Sequence, residues 1–257
     1  MPRILLAPME GLADNLLRGV LTGIGGYDWG ICEFVRVSNS VLPVKTYERI
    51  CPELLTGGKT AAGTPMRVQL LGSDPHFMAE NARRLVTLNP AGVDINFGCP
   101  APTVFRHRGG SALLGEPELL HEIVSAVRAV VDIPLIANGE VWTAEDFRNC
   151  QQVSGCADIM LGRGVIADPL LPRKVRGEET GGWAEVVPGV AAYWLGVRHK
   201  VVPEHAGGRV KQWLALLRRT YPEAEVLYQT LRPIKTAEGI DAALLAAGVL
   251  QERPVLQ

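Results

Sequence analysis

The sequence predicts an α/β protein: a parallel, barrel-type sheet wrapped by helices, followed by a smaller helical part. Three observations carry this. Over the first two thirds, short apolar runs that end in glycine or a polar turn alternate with stretches of helical periodicity. After about residue 170 the apolar spacing becomes helical throughout. The composition is that of a globular chain: 257 residues, 47% hydrophobic and 21% charged, with 28 Gly and 18 Pro scattered as punctuation, which excludes disorder and collagen-like repetition.

The strands come in order. Ile4-Leu5-Leu6-Ala7-Pro8-Met9 is stopped by Glu10-Gly11, and Trp29 to Val35 is the second run. Met66 to Leu71 ends at Gly72, and Val93-Asp94-Ile95-Asn96-Phe97 ends at Gly98. Pro134 to Asn138 and Ala157 to Leu161 follow, each closed by glycine. Between them helices are predicted over Asp14–Leu21, Pro75–Leu88, Glu116–Val131 and Thr143–Val153. Asp14 and Thr143 serve as N-caps, and Glu145-Asp146 suits the positive helix end. Polar and glycine residues gather at the carboxyl ends of the strands, the rim where parallel α/β barrels bind ligands.

Residues 172–192 are rich in Gly, Pro and charge and read as a linker. Beyond it, Val210, Leu214 and Leu217, then Leu227 and Leu231, then Ala242, Leu244 and Leu245 mark helices. The expected domains are therefore 1–171, a linker at 172–192, and a helical domain at 193–257. Arg198, Lys200, Arg209, Lys211, Arg218, Arg219, Arg232 and Lys235 make that appendix basic, as a phosphate-backbone binder would be, although a solvated helix face accounts for such charges equally well.

A net charge of −1 argues against non-specific coating of nucleic acid while allowing a local basic face. Five cysteines without a repeated Cys-x-x-Cys spacing suit neither a disulfide framework nor a zinc ribbon, and no metal is expected. No run reaches the ~18 apolar residues of a membrane span, and no signal peptide opens the chain, so a cytoplasmic protein is expected.

Cys99 sits on the turn after the fourth strand, where a thiol can act as nucleophile or proton donor; a buried turn cysteine is the alternative. With no histidine in a thiol-activating pattern, the proton donor is favoured. Ala137-Asn138-Gly139-Glu140 and Leu161-Gly162-Arg163-Gly164 end consecutive strands and suit a phosphate monoester such as that of FMN. Gln69, in a strand among apolar neighbours, needs hydrogen-bond partners; a flavin edge would supply them, as would a satisfied core amide network.

Taken together, Leu6-Ala7-Pro8-Met9-Glu10-Gly11, Glu33-Phe34-Val35-Arg36-Val37, Arg67-Val68-Gln69-Leu70-Leu71-Gly72, Asp94-Ile95-Asn96-Phe97-Gly98-Cys99-Pro100, Ile136-Ala137-Asn138-Gly139-Glu140 and Met160-Leu161-Gly162-Arg163-Gly164 resemble the tRNA-dihydrouridine synthases. Arg209-Val210-Lys211-Gln212-Trp213-Leu214 is similar to the bacterial subfamily C branch, which modifies uridine 16 of the D-loop. The resemblance spans nearly the whole chain. It implies a TIM barrel holding FMN, NADPH as reductant, a helical tRNA-binding domain, hydride transfer to C6 of a flipped-out uracil, and Cys99 as the acid that protonates C5. By position, Pro8, Met9, Glu10, Gln69, Asn138, Gly139, Glu140, Gly162 and Arg163 would contact FMN. Arg36, Asn96, Arg209, Lys211 and Arg232 would meet tRNA.

The sequence also departs from that family. Two strands expected between the cysteine loop and the Asn-Gly-Glu strand are missing, with their Lys-Val-Arg and His-Gly-Arg cofactor motifs. Lys174-Val175-Arg176 spells the first triplet outside any strand and reads as coincidence; Pro102 and Phe105 replace the lysine and asparagine usual near the cysteine. Setting aside residues 172–257 leaves 171 for the barrel, below the ~200 such barrels use. A barrel short of two βα units either closes on six strands or stays open with exposed edges, through which an otherwise monomeric protein would associate. Weak FMN binding is expected. Two other functions are weighed: a catalytically inactive tRNA-binding remnant, and a dihydroorotate-dehydrogenase-like flavin barrel, against which the helical appendix argues.

Overall fold

The computed structural model describes residues 3–99, 101–106, 108–131, 141–154 and 158–251. In chain order its elements are β1 (Ile4–Leu6), α1 (Asn15–Ile24), β2 (Trp29–Ile31), β3 (Val35–Arg36), α2 (Val44–Ile50), β4 (Met66–Leu71), α3 (Pro75–Val86), β5 (Gly92–Ile95), α4 (Pro102–Arg106), α5 (Pro117–Arg128), α6 (Ala144–Ser154), β6 (Ile159–Leu161), α7 (Arg163–Ala167), α8 (Leu171–Val175), α9 (Trp183–Lys200), α10 (Pro203–Leu217), α11 (Pro222–Leu231) and α12 (Ala237–Ala246). They form two compact units, one of Leu5–Asn15 and Asp28–Ile136, the other of Met1–Ile4, Leu16–Tyr27 and Ala137–Gln257.

The first unit is built on a parallel sheet. Leu5 pairs with Trp29, Gly30 with Met66, Val35 with Leu70, and Val93 with Val68. The strand expected over Trp29–Val35 is broken into β2 and β3, which lie along successive stretches of β4. The break falls at Glu33, whose carboxylate accepts the Gly11 N–H at 2.7 Å and so ties the loop after β1 to this point of the sheet. Side chains alternate along β4 and β5. Met66, Val68, Leu70 and Val93 form a core with Met78, Ala82 and Leu85 of α3 and Ile123 and Val127 of α5. The opposite row is polar: Arg67 and Gln69 on β4, Asp94 on β5 and Asn96 just beyond it. Gly92 is the small member of this row, for a Cβ there would lie 2.4 Å from Arg67 Nη1. The guanidinium donates to Val93 O at 2.7 Å and stacks on Trp29. Among the described residues β5 pairs with β4 alone.

The helices here follow their local signals. α3 opens with Pro75 at N1 and with Asp74 accepting the Phe77 N–H at 2.9 Å, an ordinary N-cap. α5 occupies the span expected between Glu116 and Val131. The strand expected over Pro134–Asn138 lies outside the described residues.

The second unit is mostly helical. α1 approaches α9 closely because Gly189 and Gly196, seven residues apart, share one face of α9; a Cβ would lie 3.1 Å from Val20 and Ile24 at the first, and 3.2 Å from Leu16 at the second. Residues 172–192, expected as a linker, instead hold most of α8 and the first half of α9. The charges that suggested a solvated connection are paired: Arg173 bonds Glu178 at 2.7 Å and Glu185 at 2.6 Å, and Glu185 also takes the Gly181 N–H. Lys174 and Val175 lie in helix α8, away from any strand. The core of this unit centres on Trp194 and Trp213, both fully buried, with Tyr193 edge-on to Trp213 at 5.3 Å. β6 is tied by Ile159 N–H to Arg3 O at 3.1 Å, and Arg3 and Asp158 form a charged pair beside it. No helix among the described residues is long and apolar enough to cross a membrane.

Candidate active site

Cys99 is held at both of its backbone polar groups. Its N–H donates to Asn96 Oδ1 at 2.9 Å, and Gly98 N–H reaches the same oxygen at 3.2 Å. Its carbonyl accepts from Ser111 N at 3.0 Å and from Ser111 Oγ at 3.1 Å. Gly110 permits that approach: it has φ +57°, and a Cβ there would lie 2.5 Å from Cys99 O. The thiol is half-buried, whereas Cys32 and Cys51 are buried. Pro102 begins α4, where proline is at home, and Phe105 stands exposed.

Gln69 is 4% exposed and satisfied by protein partners. Its Nε2 donates to Asp94 Oδ2 at 2.5 Å, and its Oε1 accepts from Asn96 Nδ2 at 2.8 Å. The register explains this: Gln69 is the direct partner of Asp94, and Asn96, two residues on, shares that face. Of the two readings the sequence left open for Gln69, the amide network is present, and it uses one N–H and one lone pair of the amide. Asn96, expected to meet tRNA, has its oxygen on the cysteine turn and one N–H on Gln69. Burial pushes the Asp94 carboxyl above its usual range, against the opposing effects of the Gln69 bond and the Arg67 charge.

The structure thus brings Gln69, Asn96 and Cys99 together. The sequence alone assigned no task to Asp94, Gly110 or Ser111. An Asp-x-Asn pair on one strand face, opposite a buried Gln, was the available signal for the first. Pro8 and Met9 are half-buried and Glu10 exposed, in the loop after β1 where Met9 O accepts from Leu12 and Ala13. Arg36 is exposed beside Phe34.

In the helical unit, Gly162 precedes α7 and Arg163 opens it. Asn138, Gly139 and Glu140 lie outside the described residues. The loop that follows them is fixed by a capping box: Asp146 accepts from Trp142 N at 3.0 Å and Thr143 N at 2.9 Å, and Thr143 Oγ1 accepts from Asp146 N. Those bonds hold the Asp146 carboxyl below its usual pKa. Gly164 packs tightly there, since a Cβ would come within 2.0 Å of Val141 O. Trp142 stacks with Arg219 at 4.1 Å and Arg163 at 5.6 Å, on a cleft of about 550 Å³ that Asp168 and Lys174 also line.

The cations of the appendix divide in use. Arg198 is buried against Asp241 at 3.1 Å and under Trp194. Lys211 donates to Ile234 O at 2.5 Å and Arg232 O at 3.4 Å, bracing the connection from α11 to α12. Arg218 pairs with Glu225 and stacks on Tyr228. Arg209 is half-buried, while Lys200, Arg232 and Lys235 are exposed. Within the Arg209–Leu214 stretch, Val210, Trp213 and Leu214 are core, and Trp213 Nε1–H bonds Ile166 O at 3.1 Å, joining α10 to α7.

Comparison with known proteins gives this arrangement its context. The model of a family described as dihydrouridine synthase matches residues 5–135 and 129–212. A tRNA-dihydrouridine(16) synthase of Aquipseudomonas alcaligenes is 42% identical, covering 94% of this chain and 98% of its own. Proteins of the same name are 40% identical in Ralstonia nicotianae (93% of this chain, 94% of theirs) and 35% identical in Escherichia coli O157:H7 (96% and 98%). The Aquipseudomonas comparison runs over 310 positions against a chain of 257 residues, so more than fifty of that protein's residues face a gap here. The two family matches meet at 129–135, between the cysteine loop and the Asn138-Gly139-Glu140 motif, where two strands of the family pattern have no counterpart in the sequence. The parallel sheet with its helices, and the helical part that follows, are those of a barrel short of these units. The chain belongs to the dihydrouridine synthase family.

Proposed function

We propose that the chain reduces uridine to 5,6-dihydrouridine in tRNA, at uridine 16 of the D-loop as its relatives' name states, with Cys99 as the proton donor. The observation that carries this is the Cys99 turn, fastened at its N–H by Asn96 and at its carbonyl by Ser111, which leaves the thiol as the group free to work. The C5–C6 bond of uracil is an electron-poor alkene, and a positioned acid on C5 completes addition across it. The thiol proton goes to C5 and the sulfur is left as thiolate. The base reaches the site only by leaving its stack.

The family depends on a flavin, FMN. The donor sets of this chain fit such a group: Gly162 and Arg163 at the start of α7 suit its phosphate, and Gln69 keeps one N–H and one lone pair beyond its bonds to Asp94 and Asn96. The chemistry that bound FMN supplies is hydride delivery to C6, with NADPH as its reductant. Exposed Arg36 and Arg232 meet tRNA phosphates. Lys211 contributes mainly by ordering the backbone beside Arg232.

A second reading rests on the positions absent at 129–135, which carried two cofactor motifs: a tRNA-binding protein without turnover. One experiment separates them. The purified chain is examined for flavin absorbance and incubated with NADPH, FMN and tRNA lacking dihydrouridine; product is counted by mass spectrometry. Dihydrouridine formed by the parent and lost in Cys99→Ala supports the first reading. Salt-dependent tRNA binding without product supports the second, and no tRNA binding at moderate salt overturns both.

A further inference from the structure

The hydrogen bonds around Cys99 form one directed chain, and its direction is set at the loop. Gly98 and Cys99 present two N–H donors, so the atom facing them must accept; this fixes Asn96 with Oδ1 toward the loop. Asn96 Nδ2 then faces Gln69, which must offer Oε1. Gln69 Nε2 in turn points away, at Asp94 Oδ2. An amide turned the other way would set donor against donor or acceptor against acceptor, at a site where Gln69 is 4% exposed and water is a poor substitute. Asp94 closes the chain as its terminal acceptor.

We propose that Asp94 is a positioning residue for the Cys99 acid: by accepting from Gln69, it locks both amides in the orientation that holds the cysteine turn. This deepens the proposed function and rests on its reading of Cys99. The residue acts two side chains away from the thiol, and what it contributes is an acceptor at a fixed place. Its negative charge, which faces Arg67, is a separate property, and the two are separable by substitution.

The test uses the full chain in four variants and two readouts: the rate at which iodoacetamide alkylates Cys99, followed on the Cys99 peptide by mass spectrometry, and dihydrouridine formation in tRNA. Asp94→Leu removes acceptor and charge. It is expected to speed alkylation of Cys99 by about threefold or more, with buried Cys32 and Cys51 unchanged, and to slow product formation by about tenfold. Asp94→Asn keeps an acceptor and is expected to stay within about twofold of the parent. Equal effects from the two variants would assign the role to charge and overturn the relay; no effect from Asp94→Leu would overturn it too.

Should the leucine variant fail to fold, a reversed chain decides. In Asn96→Asp, at pH 8, residue 96 can still accept from the loop, but Gln69 lies between two acceptors and the repulsion displaces residue 96 from the place that holds the turn. Adding Asp94→Asn lets residue 94 donate to Gln69 and Gln69 donate to residue 96, and restores both readouts to within about threefold of the parent. A double variant no better than Asn96→Asp sinks the proposal. Product from Cys99→Ala would remove Cys99 as the acid, while leaving the alkylation results to judge the relay.

Discussion

Replacing Asp241 by alanine should unfold the helical unit at a markedly lower temperature. Asp241 Oδ1 accepts the Trp194 indole N–H at 2.7 Å, and Oδ2 accepts from Arg198 at 3.1 Å. The side chains of Arg198 and Asp241 are 3% and 9% exposed. Without the carboxylate, the carboxylate left to Arg198 among the described residues is Glu238, at 3.4 Å and 75% exposed, a partner that solvent largely screens. A buried charge pair broken from one side costs about 3–5 kcal/mol, chiefly because the remaining charge is stranded. At about 2–4 °C per kcal/mol for a chain of this size, the midpoint falls by about 10 °C. Asp241→Asn retains an acceptor for Trp194 and costs less, about 1.5–3 kcal/mol. Arg198→Met combined with Asp241→Leu removes both charges and should recover part of the loss, the remainder being about 1–3 kcal/mol for the buried Trp194 indole N–H left without its acceptor. Thermal unfolding followed by circular dichroism and tryptophan fluorescence reads all three. An alanine variant within about 2 °C of the parent, or a double variant less stable than the alanine one, would refute the reasoning.

Further outcomes follow from single close contacts. Gly110→Ala places a methyl 2.5 Å from Cys99 O on a backbone of φ +57° and should free the cysteine turn, seen as faster alkylation of Cys99. Gly164→Ala puts a methyl 2.0 Å from Val141 O, a backbone atom that cannot yield cheaply, so the Trp142 loop must part from α7; changed Trp142 fluorescence reports it. At Asp158, burial raises the carboxyl pKa, but the side-chain and backbone bonds of Arg3 and its charge outweigh this, and the net shift is downward. The folded state therefore binds that proton less readily than the unfolded chain. The stability it contributes is present above the ordinary aspartate pKa and is lost as pH falls through the lowered value. Arg3→Ala should reduce that acid dependence of the unfolding midpoint by the share of the side chain and its charge, the backbone N–H bond to Asp158 remaining.

Local patterns read true in this sequence, and long-range placement did not. The apolar runs at Met66–Leu71 and Val93–Phe97 became β4 and β5, and Thr143, expected as an N-cap, caps through Asp146, which was expected only as a charge at the positive helix end. The strand predicted over Trp29–Val35, in contrast, is interrupted where Ile31 to Val35 take four steps against three from Arg67 to Leu70, and Glu33 in that break bonds Gly11, twenty-two residues away, a partner no periodicity reveals. The supposed linker carried helices for a similar reason. Its charges find one another, Arg173 with Glu178 and Glu185, and Gly189 and Gly196 are there to admit α1, which only the fold makes visible. Counting cations overstated the basic face, since Arg198 and Lys211 are spent on Asp241 and on main-chain carbonyls. The task of Gln69 was undecidable from composition, because a buried amide is satisfied equally by a ligand or by the two side chains that strand register sets beside it.

That register also bears on what a shortened barrel retains. Every residue that holds the cysteine turn, from Gln69 through Asp94 and Asn96 to Gly110 and Ser111, precedes the stretch at 129–135 where the family positions are absent. Their bonds run between adjacent strands and within one loop, so they ask nothing of the missing units. On the proposed cofactor side, the resemblance places the two absent motifs between Pro8, Met9, Glu10 and Gln69, which precede the gap, and Asn138 to Glu140 with Gly162 and Arg163, which follow it. Under the proposed function the loss therefore falls on the cofactor side, and Gln69 is the residue that both sides share. The reactivity of Cys99 and the flavin content of the purified protein therefore report on two parts of the proposed site that meet at Gln69. A chain without flavin whose Cys99 still responds to Asp94→Leu would have kept its acid in place after losing the reaction that needs it.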